Sequence, residues 1–273
     1  KINLYLEENE LIEGIISKNY APKDTNNIKE DERCFYTREN ALRIDTIRKY
    51  IEDNIDSKYK DYLLTGLLIK ASIHCNTCGI FKGFYKNKNT GLGCWGGSGE
   101  NALTRIKGLI KLDKIIWNNE EKFIHEAYNE DINTLINKEN INDLDVIYMD
   151  PPYNQHPYGS NYFMLNTIIK NELESNISTV SGIPNNWNRS KYNSQTEVIK
   201  VMKDLLENSI KKTKYIILSY NNEGLIKEME WNEILKNYKF KTYEILYDTY
   251  KGSRNLNKRT GKVIEKMYLI WKA

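Results

Sequence analysis

Val146-Ile147-Tyr148-Met149-Asp150-Pro151-Pro152-Tyr153 is the stretch on which the reading of this chain turns. Its first four residues are β-branched, aromatic or long and apolar, the types that suit a buried strand. The two prolines that follow lack N–H groups and hold φ fixed, so the ladder cannot continue through them. The strand therefore stops at Asp150, and open α/β sheets bind their ligands just beyond the carboxyl ends of their strands. Only five prolines occur among the 273 residues, and two of them stand side by side here.

The residue types at this turn fit one kind of chemistry. An amino group conjugated to an aromatic ring, such as N6 of adenine, is a poor nucleophile because its lone pair is delocalised. A carboxylate at Asp150, with a carbonyl of the Pro151-Pro152 segment, can accept its two hydrogens and favour the geometry in which the lone pair attacks. The prolines stiffen the turn and offer carbonyls without a competing donor. Tyr153 supplies a flat face for a base, which must leave the duplex stack to be reached. The structural alternative is a rigid turn that ends a core strand, with Tyr153 packed on the surface.

Outward from this turn the pattern alternates between strand and helix. A short strand is predicted over 123–128, a helix over 131–138, helices over 162–174 and 195–212, a strand over 215–219 and a helix from Gly224. Two β stretches, 239–247 and 263–271, are expected to form an antiparallel hairpin at the sheet edge. Asp131, after a strand and before a helix, is either a cofactor ligand or a simple helix-start acid. Upstream, Thr37 is a plausible N-cap for a helix with Ala41, Ile44, Ile47 and Ile51 at helical spacing. A second helix over 59–73 is more uniformly apolar and is expected in the middle of a helical layer. The fold class expected is α/β, a Rossmann-like sheet with a helical extension; residues 1–115 form a helical, target-recognition region and 116–273 the catalytic domain.

Composition narrows the class of function. Hydrophobic residues make up 40% and charged residues 28% of the chain, and no apolar run nears the ~20 residues that span a bilayer. No cationic region followed by an apolar stretch opens the chain, which favours the cytoplasm. The net charge of +3 is mild, but 251–262 carries five basic residues and no acid, a phosphate-contacting loop or a plain solvated one. Cys75-Asn76-Thr77-Cys78 has the spacing of half a zinc site; Cys34 and Cys94 stand alone, so reduced thiols and no metal are expected. The glycines of 91–99 follow a polar stretch instead of a buried strand, so they read as a substrate-contacting loop or a turn cluster and not as a dinucleotide fingerprint.

With these residues in view, the chain resembles the Dam-like adenine-N6 DNA methyltransferases, in which DPPY is the catalytic motif and the target-recognition region precedes it. The similarity extends to Phe35-Tyr36-Thr37-Arg38-Glu39-Asn40-Ala41, to Phe81-Lys82-Gly83-Phe84, to Trp95-Gly96-Gly97, to Asn161-Tyr162-Phe163-Met164 and to Leu218-Ser219-Tyr220-Asn221-Asn222. The resemblance implies S-adenosylmethionine as methyl donor, held in part by Asp131 and Asp150, and direct transfer to a flipped adenine at Asp150, Pro151, Pro152 and Tyr153. It implies a target-base pocket at Tyr162, Ser219, Tyr220 and Asn221. Double-stranded DNA is the expected partner, met by Lys82 and Trp95 of the 81–99 loop and by Lys251, Arg254, Lys258 and Arg259. Many relatives carry an Arg where this chain has His156.

The resemblance begins late. The family's lysine-containing cofactor segment and Phe-x-Gly-x-Gly loop have no counterpart from Lys1 onward. The sheet is therefore expected to be incomplete, and a complementary N-terminal segment or polypeptide is expected to finish the cofactor pocket. Two alternatives stay open: a partner-dependent or inactive DNA-binding half of a split methyltransferase, and an RNA adenine methyltransferase. Glutamine methyltransferases usually begin the motif with Asn, so Asp150 argues against them.

Overall fold

The computed structural model describes residues 1–97, 102–116, 123–248 and 261–272. The chain forms two compact units, one from Lys1–Glu121 with Tyr158–Trp187, the other from Lys122–Pro157 with Asn188–Ala273. The units are not contiguous blocks. Residues 158–187, expected within the catalytic region, group with the N-terminal residues because their apolar side chains Phe163, Met164 and Ile168 are buried in the same core as Tyr20, Phe35 and Phe81.

The first unit is helical. It contains α1 (Ile2–Glu8), α2 (Ile15–Asn19), α3 (Arg38–Asn54), α4 (Ser57–Ile73) and α5 (Leu103–Lys107), with α7 (Tyr158–Asn161) and α8 (Phe163–Lys170) from the returning segment. α3 starts where the sequence predicts: Thr37 accepts the Asn40 amide at 3.2 Å, which satisfies one orphan donor of the first turn. Ile44, Ile47 and Ile51 are fully buried on its inner face. α4 differs from its expected place in the middle of a layer. Only Leu67 and Ala71 are buried on it, while Tyr62, Ile69 and Ile73 are exposed; its apolar residues encircle the helix, and one stripe suffices to dock it.

Asp45 ties α2 to α3. Its buried carboxylate accepts the amides of Gly14, Ile16 and Ser17 at 2.9, 3.0 and 2.8 Å, capping a helix whose own sequence offers no carboxylate at its start. A Cβ on Gly14 would press within 2.6 Å of that carboxyl carbon, so glycine is what lets the backbone approach.

The second unit is built on a mixed sheet of β1 (Leu144–Met149), β2 (Thr213–Asn221), β3 (Lys239–Asp248) and β4 (Lys262–Trp271) in the order β1-β2-β4-β3. β1 and β2 are parallel, with Met149 opposite Leu218; β4 runs antiparallel to both β2 and β3. One face carries Met149, Leu218, Tyr220, Tyr268 and Ile270, all buried beneath α9 (Val198–Ser209) and α10 (Glu228–Leu235). Residues of the opposite face are more open: Val146 is 49% exposed, Tyr148 62%, Tyr215 47% and Ile245 69%. β1 is thus not the buried strand expected. Among the described residues it pairs on one side only, and half of its side chains meet solvent.

The strand expected over 123–128 is also absent. These residues have no regular structure, and Phe123 and Ile124 are 80% and 92% exposed. Alternating apolar residues make a strand only beside another strand that takes up their backbone groups, and none of the described strands lies beside this segment. The helix expected over 131–138 is a single turn, α6 (Ile132–Leu135).

Candidate active site

Asp150 follows the last residue of β1 and is exposed, and Pro151, Pro152 and Tyr153 are half-buried behind it. Tertiary hydrogen bonds hold the turn after the prolines have ended the ladder. The Leu225 amide donates to the Tyr153 carbonyl at 2.8 Å, Asn193 donates through its side chain to the Asn154 carbonyl at 2.6 Å, and the Asn154 side chain accepts the His156 amide at 2.9 Å.

Behind Tyr153 stands a column of rings. The Tyr220 ring meets that of Tyr153 edge-on at 6.1 Å, Trp231 packs on Tyr220 at 5.0 Å, and Tyr268 on Trp231 at 5.3 Å. Tyr220 is 1% exposed, burial pushes its phenol up, and its oxygen accepts the Ile226 amide at 3.2 Å. Tyr220, expected in a target-base pocket, is thus a buried core ring that packs against Tyr153. Gly224 makes this possible, because any Cβ there would collide with the Tyr220 ring.

Ser219 and Asn221 emerge on the opposite, more open face. Ser219 donates to Glu265 at 2.5 Å, and Tyr247 donates to the same carboxylate at 3.2 Å. Asn221 is buried and accepts the Glu223 amide at 3.1 Å. Glu265 and Tyr247 were not singled out by sequence reasoning. An acid in an edge hairpin looks like a solvated charge until the register sets it opposite Asn221.

The remaining candidates fall in different places. Asp131 is the N-cap of α6, accepting Thr134 at 3.1 Å. Tyr162 lies in the helical unit, where it precedes α8 and packs on Tyr158 at 5.6 Å. Lys82 is exposed. Trp95 is half-buried; its indole donates to the Thr25 carbonyl at 2.8 Å and the ring packs against the core, so it anchors its loop. Phe81 and Phe84, from the same loop, are core residues. Lys251, Arg254, Lys258 and Arg259 lie outside the described residues.

Asn76 is the residue of the Cys75–Cys78 motif that organises this loop. Fully buried, it donates to the carbonyls of Cys34 and Cys94, both at 2.8 Å, and accepts the Gly96 amide at 3.0 Å. Its flanking cysteines drew the eye to metal; among the described residues no group of three potential ligands converges.

Part of the chemistry of S-adenosylmethionine is matched by two acids of the second unit. Asp150 and Asp131 are exposed acids that could accept from its amino and hydroxyl groups. The glycines from 91 to 97 belong to the helical unit and follow no strand that would aim them at a ligand.

A parallel strand pair ending in an acid-proline-proline-aromatic turn, backed by buried rings, defines a mixed α/β protein. The D12 class N6 adenine-specific DNA methyltransferase model matches residues 2–234, and the chain belongs to that family of enzymes. It is 30% identical over 268 residues to Type II methyltransferase M.NlaIII of Neisseria lactamica, covering 95% of this chain and 72% of that one. It is 31% identical to Modification methylase StsI of Streptococcus sanguinis and 32% to Type II methyltransferase M.FokI of Planomicrobium okeanokoites. The matches cover 85% and 91% of this chain but only 32% and 36% of those proteins. No solved structure matches the chain.

Proposed function

We propose that this chain presents the target adenine for N6 methylation in double-stranded DNA at a short specific site. The observation that carries the reading is the position of Asp150-Pro151-Pro152-Tyr153 at the carboxyl end of β1, with Tyr153 backed by buried Tyr220. Asp150 accepts one N6 hydrogen and a carbonyl of the proline pair the other, which frees the nitrogen lone pair; Asp150 is also the nearest base to receive the proton that leaves. Tyr153 stacks on the extruded base. S-adenosylmethionine, when bound, supplies a methyl group on a positively charged sulfur, and Asp150 and Asp131 are the described residues that would hold it. Lys82 and the basic residues Lys251, Arg254, Lys258 and Arg259 contact backbone phosphates.

A second reading, a half-enzyme completed by a complementary segment or polypeptide, is favoured by the open side of β1. Val146 and Tyr148 are too exposed for a central parallel strand. A segment bearing the family's glycine-rich cofactor loop would pair there and cover them.

Calorimetry with S-adenosylmethionine separates the two readings, run on the 273-residue chain and on a longer form with any coding sequence found upstream restored. Micromolar binding by the chain alone means that its cofactor pocket is complete. Binding only by the longer form supports the half-enzyme. Tritium transfer to adenine in unmethylated DNA, lost in Asp150→Ala, tests the function itself; transfer that survives the substitution would overturn the assignment of Asp150.

A further inference from the structure

We propose that Glu265 is a positioning residue for the target base: at the carboxyl end of β2, its carboxylate holds the hydroxyls of Ser219 and Tyr247, at 2.5 and 3.2 Å, so that they present only acceptor lone pairs to an incoming base. The inference rests on the function proposed above and deepens it, by naming what selects the base.

The register builds this arrangement. β4 lies between β2 and β3, and Glu265 stands opposite Asn221 on one side and Ile245 on the other. Residues paired across a sheet point to the same face, so the Glu265 side chain emerges between the β2 and β3 partners it binds. An ionised carboxylate is acceptor-only, which commits both hydroxyl protons to it. Asn221, opposite Glu265, uses its carbonyl oxygen for the Glu223 amide. The network is therefore directional: Tyr247 and Ser219 both donate to Glu265.

Its location connects it to the chemistry. Met149 pairs with Leu218, so Ser219 and Asn221 stand at the carboxyl end of β2 beside the end of β1 that Asp150 follows, and partial burial together with Glu265 pushes the Tyr247 phenol above its ordinary range. A rim whose hydroxyl protons all point inward offers lone pairs to an exocyclic amino group. It offers no hydroxyl proton to the ring carbonyl of guanine or thymine. The acceptor geometry thus favours an amino-bearing base and leaves the Asp150 turn to complete its recognition.

Two readouts test the proposal, and the first does not depend on activity. With tyrosines labelled at Cζ, the Tyr247 signal should titrate above the ordinary tyrosine range and move down in Glu265→Gln, while melting temperature stays within a few degrees. In the form of the chain that binds cofactor, Glu265→Gln should lower kcat on unmethylated phage DNA about tenfold with KM for DNA changed less than about twofold. Tyr247→Phe should reproduce the loss, and the double variant should be little worse than either single one. A Tyr247 titration indifferent to Glu265→Gln, losses that multiply, or an effect confined to KM would overturn it. If Glu265→Gln does not fold, a wild-type kcat in Tyr247→Phe overturns it equally. A wild-type protein that transfers no methyl group to adenine, but whose Tyr247 titration follows Glu265, refutes the proposed function and leaves the bracing role standing.

Discussion

At the scale of single residues, the chain separates groups that act on a ligand from groups that hold them. Asp150 is exposed at a strand end, and among the described residues its side chain has no hydrogen bond or ion pair. Asp150→Ala is expected to cut methyl transfer by about a thousandfold or more, as loss of a key electrostatic contact does, with the thermal midpoint of the second unit unchanged by calorimetry. Asp45 is the opposite case. Burial outweighs its three amide bonds and raises its carboxyl above the ordinary range, yet removing the acceptor strands the buried amides of Ile16 and Ser17. Asp45→Ala should destabilise the helical unit by about 2–4 kcal/mol in urea unfolding. Burial also pushes the Cys34 thiol up to about 12, with Glu32 and Cys94 adding to the effect. A raised thiol favours the protonated folded form, so its contribution to stability is complete below about 9 and fades as pH rises towards about 12. At pH 8, a thiol reagent should therefore label exposed Cys78 and spare Cys34 until the unit unfolds; labelling of both at equal rates would contradict the burial.

At the scale of elements, the turn after β1 depends on parts distant in sequence. Gly224 follows β2, and its missing Cβ leaves room for the ring of Tyr220, which in turn backs Tyr153. Gly224→Ala should displace that ring and reduce turnover more than it reduces DNA binding, seen as a fall in kcat with little change in the dissociation constant. The cap and helical spacing of α3 and the hairpin of β3 and β4 were legible in the sequence, because capping and two-residue alternation are local signals. The strand expected over 123–128 was not reliable for the same reason: its alternation is local, but a strand exists only with a neighbour. Trp95 shows the same limit on a smaller scale. An aromatic among glycines reads as a ligand contact, and only the fold reveals that its indole N–H is committed to Thr25.

At the scale of the whole molecule, the sheet of the second unit has one covered and one largely open face, and β1 has an open side among the described residues. Unpaired amides exchange quickly, and those that gain a partner are protected by the opening free energy of the new contact. Amides of Leu144–Met149 that point away from β2 should therefore exchange early in the 273-residue chain and become protected when a complementary segment is present. Unchanged exchange would mean that nothing pairs with this edge.

The sequence by itself determined the strand end at Asp150-Pro151-Pro152-Tyr153, the family, and the helices and hairpin whose signals lie within a few residues. Proline stereochemistry, capping and periodicity act over such distances whatever surrounds them. Only the tertiary structure decided which face of β2 each of Ser219, Tyr220 and Asn221 serves, that Asn76 and not its cysteines organises the 76–97 loop, and that Glu265 meets Ser219 and Tyr247. Those facts depend on strand register and on packing between distant segments. A shift of one residue in register would exchange the two faces of a strand without altering a letter of the sequence.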